Sequence, residues 1–325
     1  MRAIVYVEYG PPGVLQFTEV ATPVPKDDEV LIRIRAASVN PLDWHYLRGT
    51  PYAVRLQAGW RKPKVTRLGV DAAGQVEAVG KNVTRFRPGD EVFGACKGAL
   101  AEYGCAAEGA LVLKPGNVTF EQAAAVPVAA LSALQSLRDK GRIQPGQKVL
   151  INGASGGVGT FAVQIARVFG ADVTGVCSER NMGLVRSIGA NQVVDYTQED
   201  FTKSGQRYDL IIDSVGNHSL SDCRRALTPE GTLVLVGGLG KGRWLGPLTG
   251  MLKAVVMSRF VSQKLLPFLA HLNQDDLLVI RELLETGKVA PVIDRSYPLS
   301  AVPQAIRYLE EGHARGKVVI TMEHS

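Results

Sequence analysis

Residues 148–173, KVLINGASGGVGTFAVQIARVFGADV, run from an apolar strand pattern straight into a glycine cluster that opens an amphipathic helix. The spacing puts Ala154, Gly156 and Gly159 on the G-x-G-x-x-G template, with alanine in the first position and Gly157 as an extra glycine. Small residues at these places allow a sharp turn, a close main-chain approach to a pyrophosphate and tight packing of helix on strand. The free N–H groups at the helix start attract negative charge. Ala154, Ser155, Gly156, Gly157, Val158 and Gly159 are therefore the expected phosphate cradle. A second strand pattern, DVTGVC at 172–177, completes a βαβ unit.

Working outward, residues beyond 120 alternate strand and helix. VLINGA is followed by a helix at 158–169, DVTGVC by one near 181–187, and QVVDY and YDLIIDS by one at 219–227, before GTLVLVGG. That rhythm predicts a doubly wound parallel sheet. Residues 248–284 read as mostly helical, and the tail returns to strand, helix, strand. Before residue 120 the pattern is different. RAIVYVEYG, EVLIRIRAASV, AAGQVEAVG, GDEVFGACKG and GALVLKPG are short β-rich runs separated by Gly and Pro, the pattern of a compact antiparallel barrel. The expected class is α/β, a small barrel domain beside a doubly wound one.

Composition narrows the function. The 325 residues are 46% hydrophobic and 21% charged, which describes a folded globular chain and excludes disorder or a collagen-like fibre. Thirty-five glycines, well above the usual share, imply many tight turns or close backbone approaches. The net charge is +6, with basic residues scattered along the chain, so no nucleic-acid partner is expected. The four cysteines lack the CxxC spacing of a zinc lobe and the density of a secreted scaffold, which favours reduced thiols in a cytoplasm. No signal peptide and no transmembrane segment are expected, because MRAIVYVEYG reads as a strand and no apolar run is long enough to span a bilayer. Residues 251–272, with Lys253, Arg259 and Lys264 among apolar residues, read as an amphipathic helix packed on its own core or on a subunit, with a membrane surface as the alternative.

A dinucleotide fold that takes NAD usually places an acidic residue at the end of the second strand, where it grips the ribose 2′-hydroxyl. Here that slot holds Cys177, with Ser178 and Arg180 beside it, a hydroxyl and a guanidinium suited to a 2′-phosphate. NADPH is the expected cofactor. Glu179 is the competing reading, since a strand ending one turn later would offer it to the ribose.

The A-x-G-G-V-G turn, the runs LGVDAAGQVEAVG and VTRFRPGDEVFG, the Asn-Pro-x-Asp of VNPLDWHYLRG and the closing GHARGKVVI together resemble the zinc-free quinone oxidoreductase-like branch of the medium-chain dehydrogenase/reductase superfamily. The resemblance spans essentially the whole chain. It implies a GroES-like catalytic domain from residues 1–121 and 270–325, with a Rossmann NADP-binding domain of residues 122–269 inserted, and a substrate pocket between them. Zinc-dependent members carry a Cys near Asn40 and a Gly-His-Glu where this chain has Gly69, Val70 and Asp71, so no tetrahedral zinc site is expected. The resemblance further implies cofactor-binding roles for Asn40, Asp43, Ser132, Tyr196, Gly237, Gly238 and Lys317, and Ser214 joins them from its place at the end of the fourth strand, where ligands sit in open α/β sheets. His45, Tyr46 and Tyr52 are the candidates for orienting a carbonyl oxygen or supplying a proton. Residues 46–62 and 244–268 are the expected walls of the substrate pocket. The implied activity is NADPH-dependent, metal-free hydride transfer to a small quinone or α,β-unsaturated carbonyl. Alternatives are a trans-acting enoyl reductase on carrier-bound thioesters, and a catalytically weak NADPH-binding or peripheral membrane protein. A homodimer through the edge strands of the nucleotide sheets is compatible with all three.

Overall fold

The computed structural model describes residues 1–236 and 261–322, and the chain divides into two compact units, Met1–Leu131 with Leu272–Ser325, and Ser132–His271. In chain order the first unit opens with β1 (Arg2–Val5), β2 (Gln16–Glu19), β3 (Glu29–Val39), α1 (Pro41–Arg48), α2 (Ala53–Ala58), β4 (Asp71–Val79), β5 (Glu91–Ala95), β6 (Tyr103–Ala107), β7 (Leu111–Leu113) and α3 (Phe120–Ala124). After α4 (Pro127–Gln135) come β8 (Lys148–Asn152), α5 (Gly157–Val168), β9 (Asp172–Cys177), α6 (Met182–Ser187), β10 (Gln192–Asp195), β11 (Tyr208–Asp213), α7 (Leu220–Arg225), β12 (Leu227–Val236) and β13 (Lys264–Phe268). The first unit is then completed by α8 (Gln274–Glu285), β14 (Ile293–Pro298), α9 (Val302–Glu310) and β15 (Lys317–Thr321).

In the first unit the strands form one sheet in the order β14-β15-β3-β4-β5-β7, with β6 also paired to β3. All pairs are antiparallel except β14–β15. The long β3 is the spine, because its two halves pair with β15 and β6 on one side while β4 runs along the other. Its alternating residues Val30, Ile32 and Ile34 enter a core with Ile4, Leu47, Val92, Leu100, Leu111 and Ile320. The pairing of Val318–Thr321 with Ala36–Val39 ties the chain's tail to its head.

In the second unit six parallel strands run in the order β10-β9-β8-β11-β12-β13. The order reverses between β8 and β11, and in open α/β sheets ligands bind beyond the carboxyl ends of strands at such a switch point. Near-continuous apolar runs, such as Val149–Ile151 and Leu210–Ile212, are fully buried, as strands covered on both faces must be. The expected helix does not extend through 264–268, where β13 pairs with β12 instead. Pro267 explains the difference. In a helix interior it would remove a hydrogen bond and clash with the preceding turn, whereas an edge strand tolerates it. Gly237, Gly238 and residues 239–260, which include Lys253 and Arg259, lie outside the described residues.

Candidate functional site

The turn leaving β8 is built on three differently constrained glycines. Gly153 has φ +85°, a left-handed conformation in which a side chain would also meet Ser214 Oγ at 2.7 Å. A Cβ at Gly159 would lie 2.0 Å from the Gly153 carbonyl oxygen and 2.8 Å from Ala154 Cα, so only glycine lets α5 sit this close to the turn. Gly156 differs: a Cβ there would meet nothing nearer than the Gly153 oxygen at 3.4 Å, which leaves its face open. Gly156 also caps α5 without any side-chain bond, and no acidic residue stands in the first turn. The positive end of a twelve-residue helix therefore faces this opening with no acidic residue in its own first turn.

Asn181 braces the turn from the side. Its amide nitrogen donates to Ser155 Oγ at 3.1 Å and Ser178 Oγ at 3.2 Å, while its buried oxygen has no hydrogen-bond partner. The second strand ends at Cys177 and is followed by a short 3-10 turn, Glu179–Asn181, on which Glu179 and Arg180 are exposed. Burial, and then the nearby Asp195 carboxylate, push the Cys177 thiol up to about 11, so the thiol itself is uncharged at neutral pH. Tyr196 donates its N–H to the Cys177 carbonyl at 3.1 Å and its side chain is half-exposed beside the strand end.

On the other side of the switch point, Asp213 closes the loop after β11. Its Oδ1 accepts from Asn152 Nδ2 at 2.8 Å and from the N–H groups of Val215 and Gly216 at 3.0 and 2.9 Å. Its Oδ2 is buried without a partner. Asn152 also donates to Asn217 Oδ1 at 2.9 Å, and Ser214 Oγ donates to the Asn152 carbonyl at 2.8 Å. Two turns are thus locked together at the carboxyl edge, with Ser214 spent inside the lock. An open glycine face, an uncapped helix and two orphaned buried oxygens fit the phosphates and hydroxyls of a dinucleotide.

In the first unit the candidate residues lie in a buried polar cluster centred on Asp71, which is 0% exposed. Asp71 Oδ2 accepts from Ser38 Oγ and Asn40 Nδ2, both at 2.9 Å, and pairs with Lys317 Nζ at 3.3 Å. Its Oδ1 accepts from Val128 N at 3.0 Å. The three ammonium hydrogens of Lys317 also face Asn40 Oδ1 at 2.5 Å and the Val39 carbonyl at 3.4 Å. Asp43 accepts from the N–H groups of Asn40 at 2.7 Å and Gly69 at 3.0 Å, fixing the start of α1. Burial nevertheless raises its carboxyl to about 6, outweighing those two bonds. Asn40, Asp43 and Lys317 are brought together here, each enclosed and paired with protein.

His45 lies one turn along α1, half-buried, its ring tilted against Trp44 at 3.7 Å between centroids. Its Nδ1 lies 2.7 Å from the Thr50 carbonyl, an acceptor only, so Nδ1 carries the proton and Nε2 accepts. Burial lowers its pKa and favours this neutral form. Tyr46 packs against the core, whereas the Tyr52 ring lies under the Arg55 guanidinium at 4.9 Å. Ser132 is nearly buried on α4. Sequence reasoning missed Asp71, Ser38, Asn152, Asn181 and Asn217. One signal was available, since a carboxylate inside the apolar run LGVDAAG requires a buried partner.

Residues 26–136 match the family model of the alcohol dehydrogenase GroES-like domain, and residues 188–320 match that of the zinc-binding dehydrogenases. The chain is 33% identical to the chloroplast envelope quinone oxidoreductase homolog of Arabidopsis thaliana, over 98% of each protein. The chain belongs to the quinone oxidoreductase-like branch of the medium-chain dehydrogenase/reductase superfamily. Another relative in this superfamily is the Arabidopsis thaliana NADPH-dependent alkenal/one oxidoreductase, 33% identical over 98% of this chain and 79% of that one. Among solved structures, the quinone oxidoreductase of Coxiella burnetii superposes with a TM-score of 0.88 at 30% identity, covering 99% of both chains. The family carries the GroES-like and Rossmann-type folds expected from the sequence, and the chain is an oxidoreductase of that family. Although one family description names zinc, no group of three or more His, Cys, Asp or Glu among the described residues is placed to hold a metal. No helix among them is long and apolar enough to cross a membrane.

Proposed function

We propose that this oxidoreductase uses NADPH, without a metal, to reduce quinones or α,β-unsaturated carbonyls. The observation that carries the cofactor choice is the end of β9, where a neutral thiol replaces the acidic residue and Ser178 and Arg180 follow. A 2′-phosphate would meet a hydroxyl and a guanidinium there, and no carboxylate from the strand end itself. The similarity to an NADPH-dependent alkenal/one oxidoreductase supports the same choice.

Bound there, the nicotinamide would supply a hydride, so that one NADPH and one proton convert a quinone into a hydroquinone and NADP+. The Gly156 face and the α5 terminus hold the pyrophosphate. The Asn152–Asp213 lock keeps the two turns at the switch point in register. Asn40, Asp43 and Lys317 act as positioning residues that set the backbone around α1. His45, neutral and with Nδ1–H engaged, orients a donor through Nε2, and the proton comes from water. A reaction on an already electrophilic carbon needs no Lewis acid, because the acceptor's own carbonyl takes up the charge. All four cysteines are free thiols, which supports a reducing compartment such as the cytoplasm.

The test is oxidation of NADPH and NADH, followed at the nicotinamide absorbance band, with a panel of 1,4-quinones, 2-alkenals and pantetheine thioesters. Turnover of the first two classes, faster with NADPH, is expected. Turnover of thioesters alone would assign carrier-bound substrates instead. A melting shift with NADPH and no turnover would leave a nucleotide-binding protein.

A further inference from the structure

Although basic residues are scattered over the chain as a whole, residues 44–70 contain six of them, Arg48, Arg55, Arg61, Lys62, Lys64 and Arg67, and no Asp or Glu. Within this stretch three large apolar side chains face solvent: Leu56 is 74% exposed, Trp60 61% and Val65 62%. Arg61, Lys62 and Lys64 are exposed among them. Single exposed apolar residues are ordinary, but a tryptophan and two aliphatic residues interleaved with three exposed cations within ten positions are not.

The protrusion that carries them is held in shape. Lys64 N–H donates to the Ala58 carbonyl at 2.7 Å, closing a loop with Trp60, Arg61 and Lys62 at its tip. Tyr9 Oη donates to the Gly59 carbonyl at 2.6 Å, and Gly59, at φ +118°, has no room for a side chain against the Lys62 carbonyl. Arg55 braces the base, donating to the Gly49 carbonyl at 2.9 Å and stacking 4.5 Å from the Tyr9 ring. Thr66 is fixed by the N–H of Tyr6. Little ordering entropy is left for a partner to overcome.

We propose that this loop docks the protein on an anionic lipid surface, Trp60, Leu56 and Val65 entering the headgroup boundary while Arg61, Lys62 and Lys64 lie among the lipid phosphates. Tryptophan prefers that boundary, and long cationic side chains bury their stems while keeping their charges in water. The aliphatic pair separates this reading from nucleic-acid binding, where flat rings stack on bases and Leu56 and Val65 would have no role. Leu56, Trp60, Arg61 and Lys62 fall within the stretch 46–62 expected to wall the substrate pocket, and the proposal gives their exposed side chains to the lipid instead, whichever acceptor the enzyme reduces.

The experiment is co-sedimentation of the full chain with vesicles of phosphatidylcholine alone and of phosphatidylcholine mixed with phosphatidylglycerol, with tryptophan emission recorded. Binding to the mixed vesicles only, weakened by salt and accompanied by a blue shift, is expected. Replacing Arg61, Lys62 and Lys64 together by Gln should weaken it about a hundredfold, at roughly fivefold per cation. Trp60→Ser should weaken it about tenfold and remove most of the shift, with the melting temperature unchanged because the side chain is exposed. No binding to the mixed vesicles overturns the proposal, as does equal binding to neutral vesicles. Binding unaffected by either variant, or capture by single-stranded RNA in place of vesicles, overturns it too.

Discussion

The Asp71 cluster of the first unit and the Asn152–Asp213 turns of the second are both buried polar networks, yet they are completed differently. Around Asp71 both carboxylate oxygens are engaged by protein: one carboxylate serves a hydroxyl, an amide, an ammonium and a main-chain N–H from three separate segments. Around Asn152 the described residues stop short, leaving one oxygen of Asp213 and one of nearby Asn181 buried and unpaired, beside a helix end whose N-cap glycine makes no side-chain bond. A satisfied network fixes a shape, whereas an unfinished one at a sheet's switch point leaves a ligand to finish it.

The largest effect should come from breaking the finished network. Asp71→Ala leaves the Lys317 ammonium buried without its counter-charge, and urea unfolding should show a loss of about 3–5 kcal/mol. A loss below about 1 kcal/mol would mean that the cluster is not a structural hub. The unfinished network should respond in its ligand first, which the glycine turn can separate. Gly159→Ala drives a Cβ into the Gly153 carbonyl, so stability should fall by about 1–3 kcal/mol and NADPH binding should fail with it. Gly156→Ala meets no such obstacle and should leave the unfolding midpoint in place while weakening NADPH, as measured by calorimetric titration. Equal destabilisation by the two would erase the distinction between packing glycine and binding glycine.

Arg180→Ala should weaken NADPH selectively, by about 1–3 kcal/mol, with NADH unchanged. Equal loss for both cofactors would remove the 2′-phosphate role. The most gradual effect, spread across a pH window, belongs to Asp43, whose carboxyl is raised in the folded state from 3.8 to about 6. The folded protein then holds a proton that the unfolded chain has released, so the stability this group contributes is full below pH 3.8 and is lost as pH rises through about 6. Urea midpoints should carry a falling component across that window, at most about 1.4 kcal/mol per pH unit. Asp43→Ala should abolish that component, and an unchanged profile would show that the carboxylate is already ionised when buried.

Much of this contrast was legible before the fold, and unevenly so. The turn after β8 could be read because its causes are local: strand, glycines and helix lie within some twenty residues, and Gly153 and Gly159 are demanded by their neighbours. Strand alternation likewise announced the parallel sheet. The Asp71 hub could not be read, because its partners sit at positions 38, 40, 128 and 317 and meet only when β3, β4 and β15 pair. Nor was β13 read, since LLPF suits a helix or a strand by hydrophobicity; Pro267 argues against a helix interior, and the edge of β12 supplies the pairing that makes it a strand.

By itself, then, the order of residues determined the strand–glycine–helix turn at which we propose a phosphate-bearing ligand is held, and the thiol in place of a carboxylate at the end of the second strand, for both follow from neighbours along the chain. Which buried charges neutralise one another, and which polar atoms are left for a ligand, was decided only by tertiary structure. Pairing across hundreds of residues depends on the sheet that brings them into contact, and no short-range rule of spacing contains it.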